Sequence, residues 1–284
     1  MRWVGRRQSG NVQDRRGMSG TMAGGGVVGL IVIVIALFLG VDPSALLQDG
    51  LDPGAQSGIT PATSPAEEQQ KQFTAVVLAD TEDVWNGLFQ QQFNRNYREP
   101  VLVLFSGQTQ SGCGFASAAS GPFYCPGDEN VYIDLQFFEE LQNNFHATGD
   151  FAAAYVIAHE VGHHVQNQLG VLDQVHQRRG QASEEESNEM SVRAELQADF
   201  LAGVWAHHAQ ETKNILEPGD LEEALGAASA VGDDRLQRSA QGYVVPDSFT
   251  HGTSEQRARW FRLGFDTGDL SRLMDPFQLD YREL

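Results

Sequence analysis

His159-Glu160-Val161-Gly162-His163 sets two imidazoles four residues apart with a carboxylate between them. On an α-helix, residues four apart lie about 40° from one another around the axis, so both rings project from one face toward one point. Two neutral imidazole nitrogens at about 2.0–2.1 Å make half of a tetrahedral zinc site. Glu160 is then placed to take a proton from a metal-activated water, the chemistry of a hydrolase. The preceding stretch, Phe151 to Ala158 (FAAAYVIA), reads as the buried helix this needs, with Asp150 as its expected N-cap. Tyr155 lies one turn before His159, where it either flanks the metal or fills the core.

Such a site needs a third protein ligand. The extended HExxHxxGxxH pattern would require Gly at 166 and His at 169, but Gln166 and Leu169 stand there, so it is excluded. Downstream, Ser183 to Gln210 reads as one long helix: Ser183 and Glu186 form a capping box, and Glu184 to Glu186 place negative charge at its N-terminal dipole. Within it, Glu195 and Asp199 share a face at i and i+4. Glu195 is assigned as the third ligand of a single Zn²⁺ per chain. Asp199, one turn on, can accept the free N–H of a ligand histidine and fix its tautomer. The apolar neighbours Ala194, Ala198, Phe200, Leu201, Ala202 and Trp205 argue against a merely solvated acidic pair.

HEVGHHVQ followed by ExxAD resembles the gluzincin plan, in which HExxH and ExxxD sit on two packed helices. The finer resemblance is to the neutral zinc metallopeptidases of the YpfJ type. It covers almost the whole chain, through an N-terminal anchor, GPFYCPGDENVYIDLQFF, AYVIAHEVGHHVQ, RAELQADFLAGVW and THGTSEQRARWF. The resemblance implies an α+β fold, a mainly helical zincin-like metalloprotease domain with a small sheet, acting on peptide or protein substrates. It also implies that Asn130, Val131, Tyr132, Ile133 and Asp134 form the strand beside the HExxH helix on which a substrate adds as a further strand.

Gly24 to Val41 is a charge-free apolar run of the length that spans a bilayer, about 17–25 residues. Five Arg and one Asp precede it, so residues 1–23 are expected as a basic cytoplasmic segment and 24–41 as one transmembrane helix. A cleaved signal peptide and a buried core helix are the alternatives. Residues 42–72, rich in Pro, Gly, Ser and Gln, read as a flexible linker, and 73–284 as the metallopeptidase domain on the extracytoplasmic side of the cell membrane. In that domain Thr81-Glu82-Asp83 is expected to open a helix, and Pro100 to Ser106 and Asn130 to Leu135 read as strands. Leu135 to Phe145, Leu221 to Val231 and a segment capped by Thr253 or Ser254 read as further helices. On the oxidising side of a membrane Cys113 and Cys125 are expected to form a disulfide, contributing on the order of 3 kcal/mol, with free thiols as the alternative.

Hydrolysis also needs a donor for the oxyanion that develops on the carbonyl. His251, in a turn just before a helix, is the best candidate. THGTSEQR looks similar to an element of other membrane-linked gluzincins, and that resemblance places His251, and Arg257 beside it, near the substrate. Net charge is −19, and without the basic N-terminal segment 14 basic face 37 acidic residues. Nucleic acid is therefore a poor partner. Two other classes remain open: a zinc-bearing but inactive interaction module of the envelope, and a scaffold that binds no metal.

Overall fold

Ser64 opens the first helix of the computed structural model, which describes residues 1–16, 64–117, 121–144 and 147–284. The Ser64 hydroxyl accepts the Glu67 N–H, the Glu67 carboxylate accepts the Ser64 N–H, and Pro65 fills the first position, where a missing N–H costs nothing. Helix α1 (Pro65–Leu88) thus begins inside the expected linker and runs straight through Thr81-Glu82-Asp83. Asp80 and Glu82 lie buried mid-helix, where unpaired charge would be prohibitive. The N-terminal arm supplies partners for both, and Lys213 a further one for Asp80 at 2.8 Å. Arg6 donates to Asp80 at 2.8 Å and Arg7 to Glu82 at 3.1 Å, while the Ser9 hydroxyl donates to Glu82.

This arm corrects the expected topology. Residues 1–16 and 64–284 form one compact unit. Strand β1 (Val12–Asp14) pairs in parallel with β2 (Val101–Phe105), Val12 against Leu102. An arm hydrogen-bonded into the domain's sheet lies on the same side of any membrane as the domain, so a cytoplasmic arm with an extracytoplasmic domain is ruled out. Of the arginines that read as a membrane flank, Arg6 and Arg7 pair with buried carboxylates instead. Among the described residues no helix is long and apolar enough to cross a membrane. The 24–41 run and residues 42–63 of the expected linker lie outside the described residues.

The fold is mainly helical α+β with two small sheets. The larger has the order β1-β2-β6-β5; β6 (Asn130–Asp134) runs parallel to β2, and β5 (Phe123–Cys125) antiparallel to β6. The smaller is the hairpin of β3 (Gln108–Ser111) and β4 (Gly114–Ser117). A disulfide joins Cys113, at the tip of that hairpin, to Cys125 at the end of β5.

Eight further helices follow among the described residues: α2 (Gln136–Asn143), α3 (Asp150–Gln168), α4 (Val171–Arg179), α5 (Glu184–Lys213), α6 (Asp220–Ala230), α7 (Asp233–Gln241), α8 (Ser254–Thr267) and the single turn α9 (Asp275–Gln278). Helix α3 packs on α5 and α6, and α8 packs most extensively on α5. At the α5–α8 crossing Gly203 and Gly264 face backbone so closely that a Cβ on Gly264 would lie 2.0 Å from the Phe200 carbonyl oxygen. Phe200 and Phe261 are fully buried around this contact, each worth roughly 1.5–3 kcal/mol of apolar burial.

Candidate metal centre and cleft

The helix bearing HExxH begins differently from the sequence expectation. Its N-cap is Gly149, and the Phe151 N–H is accepted at 3.1 Å by the carboxylate of Glu223 on α6. Asp150 is the first helical residue and pairs with the Met1 amine. The capping box of α5 (Ser183 with Glu186) forms as the sequence indicates, and of the two cap candidates for α8 it is Thr253 that caps, in a box with Gln256.

Gly162 sets how closely the helix bearing HExxH and the helix bearing Glu195 approach. A Cβ at that position would lie 2.9 Å from the Ala198 carbonyl oxygen, so α3 and α5 touch backbone to backbone. That contact brings Glu195 to the histidines. Its carboxylate oxygens lie 3.1 Å from His159 Nε2 and 3.4 Å from His163 Nε2. The donor atoms of the three residues all fall within 4.8 Å of one another.

Each ring is held from behind. His159 Nδ1 is 2.8 Å from Asp199 Oδ1, and His163 Nδ1 is 2.8 Å from Gln166 Oε1. Both acceptors require a proton on Nδ1, which leaves Nε2 of each ring facing Glu195. Asp199 is fully buried and is itself held by Arg257, whose Nε donates to Oδ2 at 2.8 Å, and by the Tyr155 hydroxyl at 2.5 Å. Gln166 donates to the Ala194 carbonyl at 2.7 Å and to Gln197 Oε1 at 2.9 Å; Gln197 in turn donates to the Leu273 carbonyl.

The charges agree with this geometry. Burial disfavours a charged His159, yet the adjoining Asp199 and Glu195 raise it to about 10. His163 is raised in the same way against its burial, by Glu195. Glu195 is driven well below the usual carboxylate range, its burial outweighed by His163 and His159. The pocket therefore demands positive charge among these donors, which a divalent cation supplies while leaving both rings neutral. The residues present fit zinc.

A cleft of about 450 Å³ opens over the three donors. Glu160 lines it, as does His251. The loop carrying His251 is built on Asp233, at the start of α7. One carboxylate oxygen accepts the N–H groups of Thr250, His251 and Gly252 at 2.7, 2.6 and 3.1 Å, and the other lies 3.1 Å from His251 Nδ1. That hydrogen bond leads the effects that raise His251 above its ordinary value, and it leaves Nε2 as the ring nitrogen free for the cleft. Burial opposes ionisation of Asp233, but His251 and the loop N–H groups hold it below the ordinary value.

Several expected residues stand elsewhere than anticipated. Arg257 and Tyr155 border the cleft, but their polar ends are engaged with Asp199 and His159, so they brace a ligand from behind. Strand β6 is hydrogen-bonded on both sides, to β2 and β5, and offers no free edge for a substrate. Val131 and Ile133 are core, and the Asp134 carboxylate accepts the N–H groups of Gly107 and Gln136. Asn130 and Tyr132 pair with Cys125 and Phe123. The outer edge belongs to β5, and Phe123 and Tyr124 line the cleft. The Tyr124 hydroxyl lies 2.9 Å from Asn167 and 3.1 Å from His164 on α3, tying this rim to the HExxH helix.

Sequence reasoning missed Asp233, Gln166 and β5. Gln166 carried a readable signal, since i and i+3 are neighbours on a helix. Asp233 carried none, because its contact joins the start of α7 to the separate loop that carries His251.

Two histidines and a carboxylate converging beneath a cleft, with a second carboxylate beside them, could hold a metal ion. Residues 1–275 match the family described as "Putative neutral zinc metallopeptidase", and the chain belongs to that family. Its relatives include "Uncharacterized protein YpfJ" of Escherichia coli (strain K12), 51% identical over 280 residues that cover 95% of this chain and 96% of the relative. "Uncharacterized protein Rv2575" of Mycobacterium tuberculosis (strain ATCC 25618 / H37Rv) is 42% identical over 253 residues, 82% of each chain. No solved structure matches the chain significantly.

Proposed function

We propose that the chain is a zinc metalloendopeptidase that hydrolyses peptide bonds with Glu160 as general base. The observation carrying this reading is the convergence of both Nε2 atoms on Glu195, each ring fixed through its other nitrogen. His159, His163 and Glu195 would hold the metal. When bound, zinc supplies Lewis acidity, lowering the pKa of a water toward about 7 and polarising a carbonyl.

The chain's own groups do the rest. Glu160 removes a proton from the attacking water and delivers it to the leaving amine. Asp233 orients His251 through Nδ1, so that Nε2–H can donate to the carbonyl oxygen as negative charge develops there. Asp199, braced by Arg257 and Tyr155, holds the His159 ring in position. The free edge of β5 offers backbone groups to an extended peptide. Pro122, Phe123, Phe137, Val156, Leu172 and Val231 line the cleft, which favours substrates with apolar side chains next to the cleaved bond.

The test is cleavage of a peptide library by the purified full chain, with and without a chelator, followed by restoration with zinc. Chelator-sensitive cleavage restored by zinc is expected. Zinc binding without cleavage would favour the inactive interaction module, and no zinc binding would favour the scaffold.

A further inference from the structure

Three turns beyond Glu195 on α5, roughly 18 Å along the axis, His207, His208 and Glu211 form a second group of two imidazoles and a carboxylate. We propose that these residues form a second divalent transition-metal site on α5, beside the C-terminal end of α8.

The hydrogen bonds fix both tautomers. His207 Nδ1 lies 2.7 Å from the Phe265 carbonyl oxygen, and His208 Nε2 lies 3.0 Å from the Gly268 carbonyl oxygen. A carbonyl oxygen only accepts, so each of these nitrogens carries the proton and the other nitrogen of each neutral ring presents a lone pair. Those two lone pairs face one carboxylate oxygen: Glu211 Oε2 is 3.5 Å from His207 Nε2 and 3.6 Å from His208 Nδ1. With both rings neutral, three acceptors meet with no donor between them, an arrangement that can hold a cation.

The spacing favours a metal over a hydrogen bond. These distances exceed the usual 2.7–3.2 Å of an N–H···O contact. Ligands at about 2.0–2.2 Å around a tetrahedral ion stand roughly 3.3–3.5 Å apart. Backbone carbonyls holding the far nitrogen of a ligand histidine are the usual support of such sites. Two imidazoles with one carboxylate suit zinc, cobalt, nickel or copper better than magnesium or calcium. The rings are partly buried, and His207 lies against Gly268 where α8 ends, while Glu211 is exposed and free to close on an ion.

The test uses the full chain stripped by chelator and titrated with Co²⁺ in equilibrium dialysis, with bound metal read per chain. Two equivalents are expected for the unaltered protein. Glu211→Gln and, separately, His208→Gln should each remove one equivalent or weaken it at least tenfold, with both tested also in a His163→Gln background. There the last equivalent should vanish. One equivalent in the unaltered protein, untouched by Glu211→Gln and His208→Gln, would overturn the second site. Failure of the cleft site has a different signature: His163→Gln would leave the metal count unchanged.

Discussion

His159, His163 and Glu195 in the cleft, and His207, His208 and Glu211 near the end of α5, offer the same donor types, yet what stands behind them differs. The cleft group is backed by side chains, with a buried Asp199 clasped by Arg257 on one ring and Gln166 on the other. The peripheral group is backed by two backbone carbonyls. A carboxylate behind an imidazole makes it a stronger ligand than a carbonyl does. The cleft group also faces Glu160 and His251 across a cavity. Metal ligation and hydrolysis are thus separable properties: three donors suffice for the first, and the second needs a base, an oxyanion donor and space for substrate.

Breaking that contrast at its strongest point means removing the base. Glu160→Gln should lower kcat/KM for peptide cleavage by about 10³-fold or more, with zinc content per chain unchanged by metal analysis. Full activity in this variant would end the assignment of Glu160.

Next in size is the oxyanion donor. His251→Ala should lower kcat by about 10²–10³-fold while KM and metal content move little. Its partner supplies a pH test. Asp233 raises His251, so the protonated ring persists to higher pH in the fold than in the unfolded chain. Its stabilising contribution is complete below about 6.5 and is lost as pH rises through the raised value. Asp233 is depressed, so its contribution is present above about 3.9 and is lost as pH falls through the lowered value. Asp233→Asn should therefore move the alkaline limb of the kcat/KM profile toward lower pH. An unmoved limb would show that this pair does not set the proton on the donor.

Asp199→Asn sharpens the contrast between the two kinds of support. It should weaken zinc binding in the cleft by about 10–100-fold, measured by chelator competition, and leave the peripheral site untouched. The smallest effect belongs to Glu211→Gln, which should keep kcat/KM within about twofold, since nothing in the cleft touches it.

The convergence of the candidate donors in the cleft was legible because it rests on local rules. His159 and His163 follow from helical periodicity, and Glu195 with Asp199 from the same spacing on a capped helix. The long helix α5 and its capping box at Ser183 were readable for the same reason, while the cap of α8 stayed open between Thr253 and Ser254. The strand roles were not. Asn130 to Asp134 has the pattern of a strand, but whether a strand is central or at an edge depends on its neighbours, and β5 is only three residues long. The start of α1 was misread because buried Asp80 and Glu82 look like a surface turn until the arm that pairs with them is in place.

Sequence alone determined that His159 and His163, and Glu195 and Asp199, present their side chains together, because four-residue spacing on a helix converts directly into a shared face. Tertiary structure decided how they are used. The backbone contact at Gly162 sets the distance to Glu195, Asp233 aims His251 across a loop junction, and the N-terminal arm joins the domain's sheet. Each of these joins positions far apart in the chain, and their geometry exists only once the helices have packed.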